Sequence, residues 1–138
     1  MGILAVLAYV AYTDFKKRII PNWVTFSLII LGILYHIFVL KGSWRDVIFG
    51  VVTALINYVL HIWAEGDVKL WIGLSLCLSL PMMMALYVAY GFCLVCFGLI
   101  QMIKKKSFKI RLTYPVGVAF LVAYLLVAGA QIAFRVVA

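Results

Sequence analysis

A chain of 138 residues that is 68% hydrophobic and only 12% charged, with a mean hydropathy of +1.21, carries more apolar surface than a water-soluble domain can bury, since ordinary globular composition is nearer half apolar. Its 12 basic and 4 acidic residues give a formal net charge of +8. The basic residues lie between apolar segments, which reads as membrane topology and not as a nucleic-acid surface. The expected fold class is all-α: one polytopic membrane domain over residues 1–138, surrounded by lipid, with no nucleic acid among its partners.

In chain order, six apolar segments are expected to cross the bilayer, at 2–15, 22–40, 46–63, 68–80, 82–103 and 113–135. The first has no charge before it and no small-residue cleavage site leading into a soluble domain, so it reads as a retained helix and not a signal peptide. Val6 stands where a myristoylation motif takes Ser or Thr. This segment ends on Asp14, and Lys16, Lys17 and Arg18 follow before Ile20-Pro21-Asn22 opens the second. The third begins on Asp46, a first-turn acid, and carries Asn57, expected to bond between helices. Residues 68–103 as a single helix would run ~54 Å at 1.5 Å per residue, against a hydrocarbon core of about 30 Å. Pro81 near the middle predicts a turn and two spans. In the last segment Ala119/Ala123 and Gly129/Ala133 are small-xxx-small pairs that predict close packing.

With six spans, Lys16, Lys17, Arg18, Lys69, Lys104, Lys105, Lys106, Lys109 and Arg111 share one side, and Lys41, Arg45 and Arg135 the other. Positive residues favour the cytoplasm, so both termini are expected on the extracytoplasmic side. Trp23, Trp44, Trp63 and Trp71 fall near segment ends, where interfacial tryptophans belong. The first and fourth segments are short: Asp14 lies only ~20 Å along a helix that starts at the outer boundary, which places a carboxylate at a depth where it needs a wet cavity or polar company.

Of the four acids, Asp14, Glu65 and Asp67 map to the cytosolic side. Two carboxylates that share a proton can activate water with the ionised partner and polarise a carbonyl with the neutral one. At about 4 Å and an effective dielectric near 20 the two charges repel by about 4 kcal/mol, enough to keep one protonated. Position alone equally allows Asp14 as a lone acid neutralised by Lys16–Arg18, and Asp67 as a helix cap near Lys69. If the pair exists, helix ends favour an ionised Asp67 at a helix start and a neutral Asp14 at a helix end. Cys77, Cys93 and Cys96 lie in apolar spans and read as packing residues, since zinc needs four ligands. His36 and His61 sit in separate spans near opposite faces, so a shared metal site is not expected.

These residues resemble the motifs of the type IV prepilin peptidase family, membrane aspartic proteases of prokaryotes. Asp14 followed after five residues by Ile20-Pro21-Asn22 is similar to the family's first catalytic segment. Gly66-Asp67-Val68-Lys69-Leu70 is similar to the second, the Gly-x-Gly-Asp signature, with Ala64 in place of its first glycine. Pro115-Val116-Gly117-Val118-Ala119 resembles a stretch of the short, Tad-type members. The resemblance implies a multi-pass enzyme of the prokaryotic cytoplasmic membrane with Asp14 and Asp67 catalytic, its site toward the cytosol and no cofactor or metal. Ile20, Pro21, Asn22, Gly66, Lys69, Pro115 and Gly117 are the implied supporting residues. The implied substrate is a prepilin or pseudopilin with a short basic leader before an apolar helix, for pilus assembly or protein secretion. The paired CxxC domain of larger, methylating relatives has no counterpart in these residues, so leader cleavage without methyl transfer is implied. Ala64 is expected to bear on substrate fit and, less, on activity itself, because a Cβ removes access to some backbone conformations and obstructs close approach. Two other classes fit the same acids: a small proton-coupled transporter titrating Asp14, Glu65 and Asp67, and a non-catalytic membrane assembly subunit.

Overall fold

The protein was analysed as a computed structural model that describes residues 2–17, 19–40, 44–105 and 116–137. The described residues are all-helical, with no strand among them: α1 Gly2–Lys17, α2 Asn22–Tyr35, α3 Arg45–Val59, α4 Glu65–Cys77, α5 Leu80–Lys105 and α6 Val116–Val137. Each corresponds to one predicted segment. A π-helical turn, His36–Leu40, continues α2. Three stretches are long and apolar enough to cross a membrane, Asn22–Val39, Leu80–Gln101 and Val116–Ala133. α1, α3 and α4, at 16, 15 and 13 residues, are shorter than the roughly 20 residues a full crossing takes.

The break between α4 and α5 falls three residues before the predicted turn. Leu78 is extended, with φ −119° and ψ 146°, and α5 starts at Leu80. Pro81 lies in the first turn of α5, where its missing N–H leaves no helical bond unmade. The third helix also ends earlier than the segment 46–63 implied. The N–H of Ile62 bonds the Asn57 carbonyl at 2.9 Å and that of His61 the Tyr58 carbonyl at 2.9 Å, the pairing of a Schellman cap. His61 takes the left-handed position with φ 55°, where glycine is usual. This cap turns residues 61–64 back across the bundle and starts α4 beside the end of α1.

Two three-helix groups result. α2 and α3 flank α4, α1 and α5 flank α6, and α5 joins the groups by touching α3 and α4. α4 is the most enclosed element, with Leu70, Trp71, Leu74 and Ser75 fully buried, as befits a short helix with neighbours on several sides. α3 approaches it closely because Gly50 faces Ser75, where a Cβ would overlap the serine side chain.

Between the groups lies an aromatic cluster. Trp71 on α4 stacks on Phe120 of α6 with centroids 5.4 Å apart and planes 23° apart, and Phe120 stacks on Tyr90 of α5 at 4.6 Å. Trp63 packs against Trp71, Tyr90 and Phe120 at 5.4–5.6 Å and donates its indole N–H to the Tyr90 hydroxyl at 2.7 Å. The Trp71 indole donates to Thr53 Oγ1 at 2.8 Å, and Asn57 Nδ2 donates to the Tyr87 hydroxyl at 3.0 Å. Asn57 thus bonds α3 to α5, as expected. The tryptophan expectation divides: Trp23 and Trp44 are 63% exposed, but Trp63 and Trp71 are 3% and 0% exposed and belong to the core. Position near a segment end does not distinguish a ring facing lipid from one facing a neighbouring helix. The small-residue pairs divide likewise. Ala119 and Ala123 are fully buried, whereas Gly129 and Ala133 are exposed and pack nothing closely.

The stack makes Phe120 the most costly truncation on α6. Phe120→Ala is expected to destabilise the fold by about 3 kcal/mol. Leu125→Ala, on the exposed side of the same helix, is expected to cost less than about 1 kcal/mol. Unfolding in detergent micelles, followed by tryptophan fluorescence, measures both.

Candidate active site

The end of α1, the start of α2, the turn after α3 and the starts of α4 and α6 meet at one end of the bundle around an open cavity of about 1030 Å³. Asp14 and Asp67 both line it. They lie on different helices and on different three-helix groups, so the cavity straddles the seam that the aromatic cluster closes.

Each carboxylate is buried, Asp14 at 8% and Asp67 at 6% exposure, and each is held by a backbone N–H. The Gly117 N–H donates to Asp14 Oδ2 at 2.7 Å across 103 residues of sequence. The Ala64 N–H donates to Asp67 Oδ2 at 3.0 Å, so Asp67 caps the helix it belongs to while facing the cavity. Bonds of this kind answer part of the cost of removing a carboxylate from water.

The helix-end contrast between Asp67 and Asp14 is less simple than the sequence suggests: Asp14 lies in the last turn of α1, but through Gly117 it also meets the N-terminus of α6. The simple neutralisation of Asp14 by the following basic residues does not occur among the described residues. Lys16 Nζ turns back to the Tyr12 hydroxyl at 3.4 Å and lies over its ring. Arg18 lies outside the described residues.

The supporting residues predicted from the motifs gather at the same place. Ile20 and Asn22 line the cavity. Pro21 precedes α2 and its carbonyl accepts the Val24 N–H at 3.1 Å. Asn22 Oδ1 accepts from Lys69 Nζ at 3.4 Å, and Lys69 also lies over the Phe26 ring at 5.8 Å, so Lys69 ties α4 to α2. Gly66 permits the approach of Ile20, whose Cβ would stand 3.1 Å from a Cβ added there. Gly117 serves Asp14 in the same way: an added Cβ would stand 3.2 Å from Asp14 Cβ, Asp14 Oδ2 and Val10 Cγ1. Pro115 lies outside the described residues. Ala64 has φ −83° and ψ 169°, ordinary extended backbone that any residue adopts, so its Cβ puts no strain on the chain. Its Cβ only occupies space on the cavity wall.

Sequence reasoning missed His61, Ile62, Trp63, Val116 and Ile19 as lining residues. Composition gave no signal for the first three, because nothing at residue 61 announces a helix end. Among the described residues no group of three or more His, Cys, Asp or Glu side chains is arranged to hold a metal ion. A model of the type IV leader peptidase family matches residues 1–100, a span that includes both aspartates and stops before Gly117. No curated protein and no solved structure matches the chain.

The Gly117 contact carries a prediction independent of activity. Gly117→Val is expected to displace the Asp14 side chain and cost about 1–3 kcal/mol, with Gly117→Ala at the lower end of that range. Thermal unfolding in detergent, with helix content checked by circular dichroism, decides it.

Proposed function

The chain belongs to the type IV leader peptidase family, and from that premise we propose that it is a membrane-embedded aspartic endopeptidase in which Asp14 and Asp67 share one proton and cleave the leader of a prepilin-like protein. The observation that carries the reading is the convergence of two buried acids from separate helices on one open cavity. A chain with four acids commits two of them to a place where each must be held against desolvation.

In the proposed reaction the scissile carbonyl lies between the carboxyls. The ionised partner takes a proton from water as its oxygen attacks the carbonyl carbon, and the neutral partner gives its proton to the carbonyl oxygen. Collapse of the tetrahedral intermediate breaks the C–N bond, and the leaving amine takes a proton from the dyad. The backbone donors at Gly117 and Ala64 orient the carboxylates, so that little geometry remains to be organised at reaction.

On the proposed topology all six helices cross a locally thinned bilayer and both termini lie outside. The cavity end carries Lys16, Lys17 and Lys69, which favours the cytosol for that end. The substrate is a prepilin or pseudopilin whose apolar helix stays in the membrane while its extended leader junction enters the cavity.

Co-expression with a tagged prepilin from the same cell tests this reading. Wild type yields the shortened product, and Asp14→Asn and Asp67→Asn each slow cleavage by about 10²–10⁴-fold while inserting normally. Cleavage persisting in both inserted variants sinks the mechanism and favours a non-catalytic assembly role. Because Ala64 holds an ordinary conformation, Ala64→Gly is expected to change the cleavage rate by less than about tenfold, a difference of less than about 1.4 kcal/mol in transition-state stabilisation.

A further inference from the structure

Three of the chain's four acids line the same cavity, Asp14, Glu65 and Asp67, in a molecule whose net charge is +8. The dyad accounts for two. Glu65 is exposed in the first turn of α4, where a favourable helix-end position alone would suffice to explain an acid. Two further observations set it apart. Glu65 and Lys69 stand at i and i+4 with the acid first, the orientation that best forms an ion pair on a helix. Lys69 instead reaches away to Asn22 and Phe26, and Glu65 has no ion-pair or hydrogen-bond partner among the described residues. The carboxylate therefore faces an open cavity beside the reacting groups with its local cation committed elsewhere.

We propose that Glu65 is a specificity residue of this site, taking the cationic side chain of a lysine or arginine in the substrate segment that lies across Asp14 and Asp67. The inference rests on the peptidase reading for the identity of that segment, but the charge recognition itself needs no cleavage. An extended chain lying between the two aspartates passes the first turn of α4, which carries both Asp67 and Glu65. A basic side chain there meets a carboxylate that no resident cation neutralises, and an acidic one meets repulsion from Glu65 added to that of the dyad.

The test uses the full chain in lipid nanodiscs with both aspartates replaced, Asp14→Asn and Asp67→Asn, so that binding is read without turnover. The probes are three fluorescent peptides, each an apolar helix preceded by a short leader bearing Lys, Gln or Glu beside the junction. With Glu65 present the Lys peptide is expected to bind about fivefold more tightly than the Gln peptide, the scale of a partly exposed ion pair. The preference disappears in Glu65→Gln and inverts toward the Glu peptide in Glu65→Lys. Equal affinities for the three peptides with Glu65 present, or a Lys preference unchanged in both Glu65 variants, overturns the proposal. The two readings fail separately. Prepilin cut by wild type, with no charge preference in the double-Asn protein, loses Glu65 and keeps the peptidase. Prepilin left uncut by wild type, with a Lys preference in the double-Asn protein that inverts on Glu65→Lys, keeps Glu65 as a binding residue and loses the peptidase.

Discussion

Everything at the cavity depends on the aromatic contact between α4 and α6. The proton sharing proposed for Asp67 and Asp14 would require the two carboxylates to be held at a nearly constant separation, and they belong to three-helix groups that meet along one seam. The stack of Trp71, Phe120 and Tyr90, with Trp63 across its edge, joins α4 to α5 and α6 immediately beneath the site. In lipid, apolar burial adds little to helix association, because lipid tails are as apolar as the side chains. Close ring packing, and indole N–H groups that bond inside the protein, are what remain to hold the seam. Asp14 is referred to the same frame by another route. Its partner Gly117 lies three residues before Phe120 on α6, so both carboxylates are positioned against one helix.

The two glycines of the motifs have a common physical meaning. Neither has a positive φ among the described residues, so conformational freedom is not what they supply. They supply distance: Gly66 lets Ile20 approach, and Gly117 lets its own N–H come within 2.7 Å of Asp14. Ala64, which stands where the resembling motif has its first glycine, sits in extended backbone and lines the cavity. Its conformation is one that any residue adopts, so the backbone at this position does not call for glycine.

How much of this was legible in the sequence follows from which forces leave a local trace. Six helices and the α4–α5 break were readable because hydropathy and proline act over a few neighbouring residues. Asp14 and Asp67 stood out because acids are scarce and expensive in such a chain. Trp63 and Trp71 were misplaced because an indole at a segment end looks the same whether it faces lipid or Phe120. Gly117 was marked by its motif, but its pairing with Asp14 was not legible, since it lies 103 residues away and the bond is made by backbone, which no side chain records. The Schellman turn was hidden for a related reason. His61 occupies a position where glycine would have announced it, and the early end of α3 that brings Ile62 and Trp63 to the cavity went unseen.

Hydrolysis in a membrane protein needs water at a carboxylate pair, and the helix lengths bear on how it arrives. α4 has 13 residues and α1 has 16, about 20–24 Å of helix at 1.5 Å per residue, and these two helices carry the dyad. On the proposed topology they fall short of a hydrocarbon core about 30 Å thick, so a cavity at their cytosolic ends lies below the level of the surrounding lipid yet opens to solvent on one side. The stretches Asn22–Val39, Leu80–Gln101 and Val116–Ala133 beside them are long and apolar enough to cross its full thickness. On that topology the short helices put the proposed site at a depth where an apolar substrate helix can remain in lipid while its polar junction meets water. The same reading accounts for Asp14 in the last turn of its helix, and not in the middle of a longer one: that end is where the two solvents would meet.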